Sequence, residues 1–289
     1  MSCITIIVHY NSNNMVKIEN LDFAYQKHKY VLSEINLQLE TGYTYALLGK
    51  NGSGKTTLLN IINGDILSYK GKCTINNKHV SERKVETLQT IYSLSETPRF
   101  SNLRISEYLK IVKAFYPSYS KDIQNICIES FDLDSSAFLC KLSDGQKKKA
   151  AITIALAANT PLLLLDEPTK GLDIPSRIAF KKLLSSCYSN ERTIVLSTHQ
   201  VTELENLIDA VIILDNKKII FNKTINEISQ KLISKKLQFN EDALYTEISP
   251  IGQIGILKNL DDSESSISLE LLFNMTLQNN ELVKLLLTD

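Results

Sequence analysis

One stretch limits what this chain can become. Gly49-Lys50-Asn51-Gly52-Ser53-Gly54-Lys55-Thr56-Thr57 fits G-x-x-x-x-G-K-[ST], the spacing of a phosphate-binding loop. The apolar run Tyr43-Thr44-Tyr45-Ala46-Leu47-Leu48 leads into it and predicts a buried strand. Leu58-Leu59-Asn60-Ile61-Ile62 follows and predicts the first turns of a helix. That strand–loop–helix setting is what the spacing needs. Glycines 49, 52 and 54 permit conformations closed to other residues and let the backbone come close to a ligand. Backbone N–H groups can then surround a β-phosphate at a helix N-terminus. Lys55 is placed to reach the β- and γ-phosphates, and the Thr56 hydroxyl to bind Mg²⁺. The bland alternative is a glycine-rich turn before an ordinary helix. The preceding strand, the full spacing and the Gly-Lys-Thr end together outweigh it.

The 289 residues allow one large domain with an appendage, or two domains. At 43% hydrophobic, the chain can bury a large core. Lys+Arg 32 and Asp+Glu 32 cancel, which removes an overall basic field for nucleic acid or an anionic membrane. Five cysteines (Cys3, Cys73, Cys127, Cys140, Cys187) are scattered without metal-ligand spacing. They are expected to be buried or free thiols in a reducing compartment. The apolar runs 162–165 and 210–214 fall far short of the ~20 residues that cross a bilayer. Residues 4–8 are too short, and lack the positive flank, for a signal peptide. A cytoplasmic location is expected, with any membrane role needing a partner chain.

Residues 1–14 end in the polar Asn11-Ser12-Asn13-Asn14 and read as an extension. From Met15, the alternation Val16, Ile18, Leu21, Phe23 predicts a strand. Ile35, Leu37 and Leu39 predict a second, and 71–75 an edge strand. Residues 90–92 predict a strand and 95–102 a loop with Pro98. Two helical stripes follow, Ile105, Leu109, Val112 and then Ile123, Ile126, Cys127, Ser130, Phe131. They suggest a helical subdomain over about 95–150. Residues 145–158 form an alanine-rich helix, 162–165 a buried strand, 176–187 a helix and 193–197 a strand. A helix at 200–207 and strands at 210–214 and 217–221 complete a domain expected to span 15–235. Strands alternating with helices argue an α/β fold with a parallel core. Beyond about 235 the composition shifts to Pro250, Gly252, Gly255 and the acidic Asp261-Asp262-Ser263-Glu264. Apolar helical stripes then close the chain at Leu269, Leu272, Phe273, Leu277 and at Leu282, Leu285, Leu286. Residues 236–289 are expected to form a small α+β appendage packed on the main domain.

Leu162-Leu163-Leu164-Leu165-Asp166-Glu167 is an apolar strand ending in two carboxylates. Beside a phosphate loop, Asp166 is placed to hold Mg²⁺ and Glu167 to polarise an attacking water. Taken alone, the same residues are a buried strand with a solvated acidic end. Leu142-Ser143-Asp144-Gly145-Gln146 opens the alanine-rich helix. Ser143 is a good N-cap, and Ser143 with the Gly145 backbone could also bind a γ-phosphate.

The order of motifs decides between these readings. Phosphate loop, Leu-Ser-x-Gly-Gln, Leu-Leu-Leu-Leu-Asp-Glu-Pro, Gly171-Leu172-Asp173 and Ser197-Thr198-His199 resembles the ATP-binding cassette (ABC) ATPases over about residues 15–230. The resemblance implies a P-loop ABC ATPase core with an antiparallel β flank and a helical subdomain. It implies that Tyr25 stacks on adenine, 49–57 is the Walker A loop and 142–146 the signature, with Gln146 at its end. Asp166 and Glu167 become the Walker B pair, Asp173 the D-loop aspartate and His199 the switch histidine. It further implies ATP and Mg²⁺ as ligands. Two cassettes would pack head to tail, each ATP lying between one P-loop and the other subunit's signature. Without the resemblance, Tyr25 is a strand-end aromatic and His199 a strand-end residue capping the next helix.

Two positions depart from the family pattern. Asp144 stands at the signature's usual first glycine, where a carboxylate repels a triphosphate unless it points away. Ser95, followed by Glu96, stands at the usual Q-loop glutamine. Glu96 is expected to point the other way if that segment is extended. The chain most resembles single-cassette ATP-binding subunits of drug-, peptide- or bacteriocin-type exporters. The resemblance thus implies a second copy or a homologous cassette, and a separate transmembrane permease subunit, at the cytoplasmic face of a membrane. One rival is a soluble ABC ATPase of the Fe–S assembly type. Another is a nucleotide-binding regulator without turnover, which the intact Glu167 and His199 argue against.

Overall fold

The computed structural model describes residues 14–199, 202, 204–238, 241–250, 252–259 and 266–287. The expected N-terminal extension therefore lies outside the described residues apart from Asn14, and so do Gln200, Val201 and Glu203 of the expected 200–207 helix. Of that helix's remainder, Glu205–Leu207 forms a short 3-10 turn.

Strands β1 (Asn14–Gln26) and β2 (Lys29–Glu40) pair antiparallel, and β3 (Thr44–Leu48) runs into the glycine loop and helix α1 (Lys55–Ile62). Then come β4 (Lys70–Ile75), the two-residue β5 (Lys78–His79), the short α2 (Val85–Leu88) and β6 (Ile91–Leu94). Helices α3 (Ile105–Phe115), α4 (Lys121–Ser130) and α5 (Asp144–Ala158) lead to β7 (Leu162–Asp166). Helix α6 (Ile174–Ser186), β8 (Thr193–Ser197), β9 (Ala210–Asp215), β10 (Lys218–Thr224) and α7 (Ile225–Lys231) follow. The chain closes with β11 (Leu232–Lys236), β12 (Tyr245–Ser249), β13 (Gly252–Lys258), α8 (Leu269–Gln278) and α9 (Asn280–Leu287).

Among the described residues the strands make three sheets. The central one has the order β10-β9-β3-β8-β7-β6, parallel except at β10. Strands β3, β7 and β8 are buried at every position. Their unbroken apolar runs are what a parallel sheet covered on both faces requires. The two-residue period splits each run between two cores. Tyr45, Leu47, Leu162 and Leu164 face α1 and the antiparallel flank β2-β1-β4-β5. Ala46, Leu48, Leu163 and Leu165 face a core shared with α3, α4, α5 and the C-terminal helices. Helix α5 is nearly all buried from Ala150 to Ala158, so its alanines let neighbouring elements approach closely from several sides.

Three local expectations change. Strand β4 is not the outermost strand, because β5 pairs with its end. In α4 the buried residues are Gln124 and Cys127, and Ile126 is 49% exposed. Gln124 is tolerated inside because the Tyr119 hydroxyl donates to its Oε1. Helix α6 begins at Ile174, before the expected 176, because Asp173 accepts from Ser176 N and Pro175 suits a first turn. The tail contains both strands and helices, but the strands had no clear sequence signal. Gly255 explains the close pairing of β12 and β13, since a Cβ there would lie 2.6 Å from Tyr245 O.

Candidate functional site

The strand order assembles the site. Strands β3, β8, β7 and β6 lie side by side and parallel, so the loops after their C-terminal ends share one edge. That edge is where open parallel sheets bind ligands. It brings together the glycine loop after Leu48, Ser95–Glu96 after Leu94, Asp166–Glu167 and Thr198–His199. A cavity of about 470 Å³ opens there, bordered by Tyr25, Asn51, Gly52, Gly54, Lys55, Thr56 and Thr57 from one side. Glu96, Asp166, Glu167, Lys170 and His199 border it from the other, with Val31 beside Tyr25.

The glycine loop is shaped by near contacts. Gly49 packs so tightly that a Cβ would fall 2.4 Å from Leu214 O. Gly54 has φ +109°, and a Cβ there would meet Leu32 Cδ2 at 2.9 Å. Gly54 is also the N-cap of α1 and offers no side-chain bond to the helix. Helices α4, α5, α6 and α8 instead start with Ser120, Ser143, Asp173 and Ser268 accepting a backbone N–H. The first N–H groups of α1 are thus left for an anion. Lys55 is buried, and its Nζ donates to Gly49 O at 2.7 Å and Lys50 O at 3.2 Å. Burial holds its pKa below the ordinary lysine value, while Glu167, Asp166 and Glu96 pull it back up.

The acidic side is linked into a chain of bonds. Thr56 Oγ1 donates to Asp166 Oδ2 at 2.7 Å, and the Ser197 hydroxyl donates to Asp166 Oδ1. Glu167 follows at φ +45°, a left-handed backbone that costs a non-glycine residue about 1 kcal/mol or more. Glu167 N is held by Ser197 O at 3.0 Å, which sustains that turn. The turn leaves Glu167 Oε1 2.8 Å from His199 Nδ1. Tyr25 is 64% exposed, stands edge-on to Phe23 at 4.8 Å, and reaches Thr57 Oγ1 at 3.3 Å. Its side chain also borders the cavity.

Ser143, Gly145, Gln146 and Asp173 do not border this cavity. Ser143 and Gln146 bond reciprocally as a capping box at the start of α5. A Cβ on Gly145 would lie 3.5 Å from Gly171 O, so the signature turn and the 171–173 turn adjoin. One chain therefore presents two separate groups: the cavity, and an exposed helix start beside Asp173. Asp144 points fully into solvent and pairs with Lys147 at 3.4 Å, so its carboxylate turns away from the helix start.

Sequence reasoning gave no role at the site to Val31, Lys170, Ser197 or Phe273. Lys170 stands between Thr169 and the Gly171 turn, and that place was the available signal. Phe273 appeared only as part of an apolar stripe. Among the described residues no three His, Cys, Asp or Glu side chains group as a metal site, and no helix is long and apolar enough to cross a membrane.

Residues 32–170 match the family model described as ABC transporter. The ABC transporter ATP-binding protein YtrB of Bacillus subtilis is 24% identical over 79% of this chain and 78% of that protein. The lantibiotic transport ATP-binding protein SrtF of Streptococcus pyogenes is 29% identical over 78% of this chain and 99% of that protein. A solved ATP-binding subunit of an ABC transporter superimposes with TM-score 0.67 at 25% identity, over 74% of this chain and 91% of that one. The arrangement of the cavity agrees with these likenesses, and residues 32–170 carry the ATP-binding cassette domain of ABC transporters.

Proposed function

We propose that this chain hydrolyses ATP as one half of a dimer that drives a separate membrane-spanning subunit, in an exporter. The observation that carries the reading is the division of one chain into two groups. The cavity holds the cradle, the carboxylates and the histidine, while Ser143, Gly145 and Gln146 at the start of α5 and Asp173 at the start of α6 stand apart from it. Each group is half of a site, and a second copy packed head to tail completes both.

Each residue has a task in that scheme. Residues 49–57 wrap the phosphates, with Lys55 leaving its two carbonyls for the β- and γ-oxygens. Tyr25 stacks on the base. Thr56 and Asp166 are hard oxygen donors already 2.7 Å apart, which suits Mg²⁺, a cation that fills its other positions with water and phosphate oxygens. Held by Thr56 and Asp166, Mg²⁺ would supply positive charge against the β- and γ-phosphates. Glu167 orients and polarises the attacking water. His199, through Nδ1, fixes the Glu167 carboxylate and faces the cavity where the γ-phosphate ends. From the partner copy, Ser143 and the Gly145 backbone contact the γ-phosphate, with Gln146 and Asp173 bracing that turn.

The lantibiotic transport named for SrtF supports an exporter of peptide-like cargo, at the cytoplasmic face of a membrane. The test is Glu167→Gln. This variant is expected to bind ATP, to fail at turnover, and to double its light-scattering mass with ATP and Mg²⁺. A mass that stays monomeric under those conditions removes the homodimer and leaves a heterodimer with a related cassette.

A further inference from the structure

We propose that Phe273, on the C-terminal helix α8, is a positioning residue for His199, so that the tail takes part in hydrolysis. A second cavity of about 170 Å³ lies beside the phosphate site, bordered by Leu48, Gly49, Lys50, Asn51, Thr198, His199 and Phe273. Asn51 and His199 border both cavities. Phe273 therefore shares a cavity with the turn that carries the His199–Glu167 bond.

The tail is fixed at this place by ordinary packing. Leu269, Leu271, Leu272, Met275 and Val283 belong to the same apolar core as Leu204 and Ile208. The start of α8 is tied to the chain just after the histidine, because Leu269 N donates to Glu205 Oε1. Ser268 N donates to Ser234 Oγ at 2.9 Å, which ties the same end to β11. Helix α8 thus meets the His199 turn across this cavity through Phe273, and is bonded further along the chain to Glu205. The switch turn itself has freedom to lose: His199 is 40% exposed and sits next to unfilled space. An aromatic ring limits that freedom by volume. Truncating it joins more empty space to the turn and lets the imidazole leave Glu167.

The inference rests on the reading of His199 as the residue that fixes Glu167. The experiment uses the full chain with Phe273→Ala, Phe273→Leu, His199→Ala and the double variant His199→Ala/Phe273→Ala. Steady-state ATPase is measured together with the affinity for a fluorescent ATP analogue and the melting temperature. Phe273→Ala is expected to lower kcat about tenfold or more while KM and analogue affinity stay within about threefold, since small misplacements of a reacting group cost that much. Phe273→Leu, which keeps apolar volume and covers the case of an unstable alanine variant, is expected to fall between it and wild type. In the His199→Ala background the Phe273→Ala loss is expected to vanish, because residues that act as a unit are not additive. Wild-type kcat in both Phe273 variants, or an equal loss with and without His199, overturns the proposal and leaves the His199 reading intact. Wild-type kcat in His199→Ala overturns the His199 reading, and this proposal with it.

Discussion

Lys170 Nζ and Glu96 Oε1 meet at 2.5 Å on the rim of the phosphate cavity. Glu96, rather than Ser95, thus borders the cavity, contrary to the expectation that Glu96 would point away. The cause is Lys148. Its buried ammonium donates to Glu96 O at 2.9 Å and Ser95 O at 3.4 Å, so the chain turns after Leu94 instead of staying extended. The bond to Lys170 also holds the Glu96 carboxyl below the usual carboxylate range, so it is charged at neutral pH.

That pair predicts opposite effects on ATP affinity. Glu96→Ala removes a negative charge near the phosphates and frees Lys170, so affinity is expected to rise about two- to fivefold, the scale of a partly exposed ion pair. Lys170→Ala is expected to lower it by a similar factor, and the double variant to return near wild type. Ser95→Ala is expected to change nothing, because its bond to Lys148 is made by the backbone. Calorimetry with ATP checks all four proteins. A weaker-binding Glu96→Ala would show the carboxylate acting directly on the bound nucleotide.

Lys55→Ala is expected to weaken ATP binding at least about tenfold, the value of one hydrogen bond from a charged group. The cation is buried against Gly49 O and Lys50 O, so burial already lowers its pKa and a phosphate partner is favoured over the two carbonyls. Calorimetry at neutral pH measures the loss. Unchanged affinity in this variant would remove the assignment of residues 49–57 as the phosphate cradle.

The site was legible where chemistry forces a local pattern. Gly49, Gly54 and Lys55 are dictated by a tight loop, and Asp166 and Glu167 by the end of a buried strand, so spacing alone found them. Placing them together was legible only in part, since β8 must slot between β3 and β7 for His199 to meet Glu167. Glu96 was misjudged because its direction depends on Lys148, 52 residues away. Ile126 was misjudged because an internal hydrogen bond from Tyr119 paid for burying Gln124 instead. The tail strands β11, β12 and β13 escaped because a small antiparallel sheet with one exposed face has short, mixed runs.

Tyr25→Ala is expected to weaken ATP and GTP binding alike, by about fivefold to a hundredfold, since base stacking on an aromatic face is worth about 1–3 kcal/mol and tolerates any base. Tyr25→Phe is expected to stay near wild type, because the 3.3 Å contact from the hydroxyl to Thr57 Oγ1 is long and lies at a largely exposed side chain. Fluorescence titration with both nucleotides checks this. A large loss in Tyr25→Phe would mean that the hydroxyl, through Thr57, matters more than the ring.

Lys148 predicts a pH dependence of stability whose sign is fixed. The side chain is 3% exposed, and burial pushes its pKa from the ordinary 10.5 down to about 8. Asp166, Glu96 and Glu167 oppose that shift, and Lys170 adds to it. Between pH 8 and pH 10.5 the unfolded chain therefore holds a proton that the folded chain has released. Stability from this group rises as pH increases through that window and is lost as pH falls back toward 8. Below it both states are protonated and the cost of burying the ammonium is constant. Other groups titrate in the same range: burial pushes Tyr69 and Tyr119 up to about 12, which acts in the opposite direction. The clean quantity is hence the difference between wild type and Lys148→Met, a substitution of similar length without the charge. Urea unfolding at pH 8 and near pH 10 is expected to show wild type gaining on the variant by something on the order of 2 kcal/mol across the interval. A difference that stays flat, or that reverses, would mean the ammonium keeps an ordinary pKa and that its bonds to Ser95 O and Glu96 O offset the cost of burial.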